Sequence, residues 1–316
     1  MGTFLCSGVL AALALQAPLP PSHPDSLRAA LWARVAADST DGVAWLEIGR
    51  AYAQFAAGYH AHRAVPAAAP DAAWAGAALD TAEQAFARAA RWTAGTRTAD
   101  SAQVFQVYVW GQRAYLAWEA GGAEAARAVW QALPTALRLP PVLEELGENL
   151  LRACPRQGVL LTAGEADTQA AWYMRHARGL RPDLLILPLA AWRTDAVFRG
   201  RVLRDARLRA TGGDAALRTF AERRPVCAST AFERPPDTRG QLNWRSRPLV
   251  WVAGPEPKGD RVPPQDFVFA ALRLALDQHD TWSAPAVALY RRAADITSAL
   301  CRPLDTFGIK AEVGCR

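Results

Sequence analysis

Glu165, Asp167, Trp192 and Asp195 combine the side-chain types that bind polar ligands. Carboxylates accept hydrogen bonds from sugar hydroxyls or coordinate a divalent cation, and an indole face packs on a pyranose ring. Thr168, Thr194, Ser229, Thr230, Gly254 and Glu256 stand at equivalent places, each shortly after an apolar run. In an open α/β sheet the ends of such runs form the edge where ligands bind. A second duty competes for the same residues. Asp167, Thr168, Thr194 and Asp195 all stand where a helix starts, and capping by itself accounts for their types. Glu165 precedes the cap, so it is the residue that capping leaves unexplained.

Other chemistries find little support. The chain has no G-x-G-x-x-G after a strand, no G-x4-G-K-[ST], no H-E-x-x-H and no G-x-S-x-G. His60 and His62 fall in a loop, His176 is expected on a helix surface between Arg175 and Arg178, and His279 lies in a charged turn. None stands out as a general base. No cysteine has C-x-x-C spacing or a histidine close to it in sequence, so no metal site and no cofactor are expected.

The elements that must position the four residues come from residues 158–192. Val159, Leu160 and Leu161 form a continuous apolar run, and Gly164 breaks it. A helix with Asp167 or Thr168 at its cap and Gly179 at its end follows, then a second run from Leu184 to Leu187. Two fully apolar strands joined by a helix predict a parallel βαβ crossover covered on both faces. Further strands are expected at 225–229 and 249–253, with helices at 195–208, 215–223, 267–276 and 286–300. The polar stretch 234–247 is read as a hairpin or a loop.

This unit, with Gly164, Asp167, Thr168, Trp172-Tyr173, Gly179, Arg181, Asp183 and the run to Trp192-Arg193-Thr194-Asp195, resembles the soluble C-terminal region of bacterial multi-span membrane proteins related to protein O-mannosyltransferases. The likeness extends through Arg224-Pro225-Val226 and Pro248-Leu249-Val250-Trp251. In that family the first turn usually reads Gly-Asp-Asn-Asp-Thr; Glu165 and Ala166 replace the first Asp and the Asn here. The resemblance implies a link to glycan transfer, and the family's membrane spans are absent from this chain.

The N-terminal half reads differently. Trp45, Ile48, Gly49 and Tyr52 fit the first helix of a tetratricopeptide repeat, and Ala82 and Phe86 fit the second, after an inserted loop at 59–70. Trp110, Ala114, Gly121, Ala126 and Trp130 make a degenerate second copy, with Gly121-Gly122 at its turn. An amphipathic helix at 26–37 is expected to bury Leu27, Leu31, Trp32 and Val35, and a helix at 142–153 to join the halves. Phe4 to Ala17 reads as a secretory signal. Without it four cysteines remain, an even count that permits disulfides, with Cys301 and Cys315 the pair expected to bridge. The net charge of +6 is carried almost wholly by arginine, with only Lys258 and Lys310 as lysines and no basic run, so no nucleic-acid footprint is expected.

The sequence thus predicts an α/β protein: a leader at 1–24, a tetratricopeptide-like helical region at 25–153, and at 154–316 a small, mostly parallel sheet of about four strands covered by helices. The expected role is a non-catalytic, periplasmic or otherwise extracytoplasmic scaffold that binds an envelope protein partner or a glycan. An accessory subunit or enzyme of envelope glycan transfer is the alternative.

Overall fold

A computed structural model describes residues 24–62, 72–209, 213–236, 242–257, 259 and 262–315. The expected leader, part of the expected inserted loop and the side chains of His60 and His62 lie outside the described residues.

Five helices open the chain: α1 (Pro24–Ala37), α2 (Gly42–His62), α3 (Ala72–Trp92), α4 (Arg97–Gln131) and α5 (Pro141–Ala153). The first core forms where α2 and α3 pack on α1 and the start of α4. Gly49 permits the close approach of α2 and α3, because a Cβ there would run into the ring of Phe86. Trp45 is buried and its indole N–H donates to the Ser39 carbonyl at 2.9 Å. Tyr52 is only partly buried, edge-on to Trp32. The apolar stripe of α1 is narrower than its spacing predicts: Leu31 and Val35 are buried, whereas Leu27 and Trp32 are exposed. Thr96 caps α4, and Gly122, at φ 78°, divides α4 into two helical stretches where the second repeat was expected to turn.

The second half is an α/β sandwich. Its elements are β1 (Val159–Thr162), α6 (Glu165–Trp172), β2 (Leu185–Pro188), α7 (Leu189–Thr194), α8 (Ala196–Asp205), α9 (Gly213–Arg223), β3 (Val226–Ser229), β4 (Arg245–Arg247) and β5 (Val250–Ala253). Four more helices close the chain: α10 (Ala270–Asp277), α11 (Ser283–Ile296), α12 (Cys301–Thr306) and α13 (Lys310–Val313). The strand order is β2-β1-β3-β5-β4. β1 is parallel to both β2 and β3, while β5 is antiparallel to β3 and to β4.

The α/β class with a helical N-terminal region is as the sequence predicts, but the sheet is mixed and has five strands. The reason is connective. A parallel strand needs a crossover of a dozen or more residues, usually helical, and no helix stands between β3 and β5 among the described residues, so the chain returns antiparallel. The polar stretch supplies β4, an exposed outer strand.

Alternation along the strands makes two cores. Leu160, Ile186, Cys227, Val250 and Val252 face α5, α6, α10 and α11. Val159, Leu161, Leu187, Val226, Ala228 and Trp251 face α7, α8 and α9. α5 ties the halves together through buried polar groups. Glu145 accepts from the amides of Ala271 and Leu272 at 2.7 and 3.0 Å, and so caps α10 from outside. One turn on, Asn149 donates to the Val268 carbonyl at 2.6 Å and to the Tyr290 hydroxyl at 3.0 Å. A disulfide from Cys154 to Cys227 fixes the end of α5 to β3, and Cys301–Cys315, the expected pair, closes the C-terminal turn.

Candidate functional site

β1 is flanked by β2 on one side and β3 on the other, so the strand order reverses at β1, which is where open α/β sheets place ligands. Glu165 and Asp167 do come together there. Gly164 is the N-cap of α6, and Asp167, three residues in, reaches back to the amides of Gly164 at 2.8 Å and Ala163 at 2.9 Å. The expectation that Asp167 is itself the cap is therefore corrected by three residues: it completes a capping box from inside the helix. The Ser229 hydroxyl adds a third hydrogen bond, and burial pushes the Asp167 carboxyl up while these donors hold it down. Thr162 and Thr168 share a hydroxyl contact at 2.6 Å, and Thr168 donates to the Gly164 carbonyl.

The helical region roofs this strand end. Burial pushes the Glu165 carboxyl up and Arg50 of α2 opposes it. Tyr108 of α4 is buried beside both acids, its phenol pushed up by burial and then by their charges. At this strand end Asp167, Ser229 and the two threonines are paired with one another or with backbone amides, and Glu165 meets only the charge of Arg50.

Trp192 and Asp195 go elsewhere. Trp192 is fully buried against Phe220, with its N–H donated to the Gly213 carbonyl at 2.8 Å. It is a core residue of the second sheet face and offers no stacking platform, because a large apolar ring gains most by leaving water altogether. Asp195 caps α8 through the amides of Val197 and Phe198 and accepts from the Tyr115 hydroxyl at 3.3 Å. Both carboxylates at helix starts are spent on capping, and no single rim carries all four residues.

The open space lies along the other side of the molecule. β2 is an edge strand, and α4 runs past it, packing on α6 and the turn after it to one side and on α8 to the other. Between them is a cavity of about 330 Å³ lined by both stretches of α4, β2, α8 and the end of α6. Its size is at the lower end of small-molecule sites. Aromatic rings shape it. Tyr115, Trp118 and Phe198 form one cluster with centroids 5.3 to 6.3 Å apart, and Trp130 lies parallel to His176 at 6.4 Å.

Its polar groups come from a local irregularity. After Trp172 the helix widens into a π-helical turn at Tyr173–Ala177, a feature frequent at functional sites. The wider turn places Arg175 and His176 together on the cavity wall. His176 is accordingly half-buried, not on the surface as its flanking arginines suggest. Burial, and then the Arg175 and Arg127 charges, push its pKa down to about 3, so the imidazole is neutral. An Arg175 terminal nitrogen lies 3.0 and 3.1 Å from the two ring nitrogens, and the other donates to the Pro182 carbonyl. A π-turn leaves no simple mark in composition; the Trp172-Tyr173 pair and the Gly122 break are the only sequence signs that bulky rings and a bent helix meet here.

Among the described residues no group of three or more histidine, cysteine or acidic side chains is arranged to hold a metal ion. No helix among them is long and apolar enough to cross a membrane. No family model matches the chain, and no curated protein or solved structure matches it either.

Proposed function

We propose that the protein is a non-catalytic binding protein of the cell envelope, a tetratricopeptide-like scaffold joined to an α/β domain that takes a small ligand in the cavity between them. The observation that carries this reading is the aromatic-lined cavity of about 330 Å³ at the seam, where two segments remote in sequence leave space instead of packing. A half-open concave space of this size, lined by aromatic rings with a few polar groups on its wall, has the make-up of a small-molecule site. A single sugar unit, a ring-bearing acid or one side chain of a protein partner would fit that volume.

The extracytoplasmic location draws support from the cysteines. All four outside the leader are paired, and such bridges persist in oxidising compartments. Thiol labelling of the unreduced, denatured protein should modify neither pair, and the mature chain from its native host should start near residues 18–25. Labelling of all four cysteines, together with an intact Met1, would overturn the location.

The binding role is tested by thermal denaturation against sugars, ring-bearing acids and divalent cations. At least one organic class should raise the melting temperature of the parent. Ala126→Phe, which grows a ring into the cavity from α4, should abolish the shift. No stabilisation by any class, or a shift untouched by Ala126→Phe, would remove the cavity from the account.

A further inference from the structure

We propose that the seam cavity receives a small amphipathic anion, with its apolar body against Trp118, Trp130 and Phe198 and its carboxylate or phosphate on the Arg175–His176 pair. The inference rests on reading the cavity as a ligand site and names what that site would hold.

The starting point is a guanidinium with one N–H left unanswered. The Nε of Arg175 is buried and has no hydrogen-bond partner, and among the described residues no carboxylate lies within ion-pair distance of this side chain. A buried donor in that condition is costly unless something accepts from it. The carboxylates that line the same cavity do not accept that N–H, although the Asp183 charge favours the Arg175 cation from beyond ion-pair distance. Asp183 is held by Arg181 through two bonds at 2.9 and 3.0 Å and by the Gln157 amide at 2.8 Å. Asp205 stands at the exposed end of α8.

The other charged groups reinforce the sign. The Arg127 charge of α4, itself paired with Glu124, acts on His176, and Arg224 lines the cavity. The neutral imidazole adds a donor, because whichever ring nitrogen does not accept from Arg175 can donate to a ligand. A planar guanidinium beside an imidazole N–H offers the donor geometry that carboxylates and phosphates accept. A cation would meet the repulsion of these arginines, and a neutral head would bring no charge to the guanidinium.

Calorimetry with four probes that share one ring system separates the cases: 2-naphthoate, 2-naphthyl phosphate, 2-naphthol and 2-naphthylmethylammonium. The two anions should bind about ten- to hundredfold tighter than the naphthol, and the ammonium weakest, the factor expected for hydrogen bonds to a charged group. The order of the two anions tells carboxylate from phosphate. Arg175→Met should bring 2-naphthoate down to the affinity of 2-naphthol while leaving 2-naphthol unchanged, and Arg175→Lys should restore part of the preference. Equal binding of all four probes, or preference for the ammonium, would overturn the anion assignment and leave the cavity a ligand site. Failure of every probe to bind would overturn the cavity reading and the anion assignment with it.

Discussion

The strand end after β1 and the seam beside β2 both gather polar side chains, and they do opposite things with them. At the strand end the Asp167 carboxylate is met by two amides and the Ser229 hydroxyl, Thr162 by Thr168, and Glu165 by the charge of Arg50. At the seam the Arg175 guanidinium has a buried N–H with nothing to receive it. Hydrogen-bonding potential that a fold satisfies internally holds the fold; potential left over beside a cavity is available to something else. The difference teaches that residue type marks where polar groups are, and only partner accounting marks which are free.

Removing a charge from each region should therefore give different answers. Asp167→Ala removes the acceptor of two part-buried amides and of the Ser229 hydroxyl, and it should destabilise the protein by about 2 kcal/mol in urea unfolding. Its loss should leave the affinity of any cavity ligand unchanged. A stable Asp167→Ala protein that no longer binds would reverse the roles of the two regions.

Glu145 sharpens the comparison, since it is another buried carboxylate used as a clamp. Burial pushes its pKa up to about 7, against the opposing amides of Ala271 and Leu272. The sign follows from linkage: a group whose pKa is raised in the folded state stabilises it fully below the unfolded value of about 4.5, and that contribution is lost as pH rises through about 7. Stability of the parent should fall between those pH values by an amount on the order of 2 kcal/mol. Glu145→Gln should flatten that segment of the profile. An identical slope in the variant would assign the pH dependence to another group.

The smallest expected effect belongs to the seam. Arg175→Met replaces a half-buried charge that makes no ion pair with an apolar chain of similar length, so unfolding free energy should stay within about 0.5 kcal/mol of the parent or rise. A large loss would mean that Arg175 holds the fold as Asp167 does, and the contrast between the two regions would dissolve.

What the sequence disclosed follows the same line. β1, β2 and β3 are legible because each is a short, largely apolar run bounded by breakers, and burial on both faces favours that pattern. The close approach at Gly49 was legible because the repeat's spacing carries it. The direction of β5 was readable in principle from the lack of a helical crossover after Ser229, a signal that its apolar run alone conceals. Trp192 misled because an indole looks the same in composition whether it faces a sugar or a core. Glu165 and Asp167 share the first turn of α6, yet the groups that act on them, Arg50 and Tyr108, come from α2 and α4 and cannot be inferred from local spacing. The seam was not legible at all: its walls come from residues 111–130 and 172–206, and its polar pair depends on a π-turn that rotates His176 away from the position a regular helix gives it.

A crystal structure of the protein with 2-naphthoate tests the central claim most directly. The account predicts one ring system between Trp118, Trp130 and Phe198, with a carboxylate oxygen within about 3 Å of the Arg175 guanidinium. A ligand seated instead against Glu165 and Ser229 at the end of β1, with the seam empty, would contradict it.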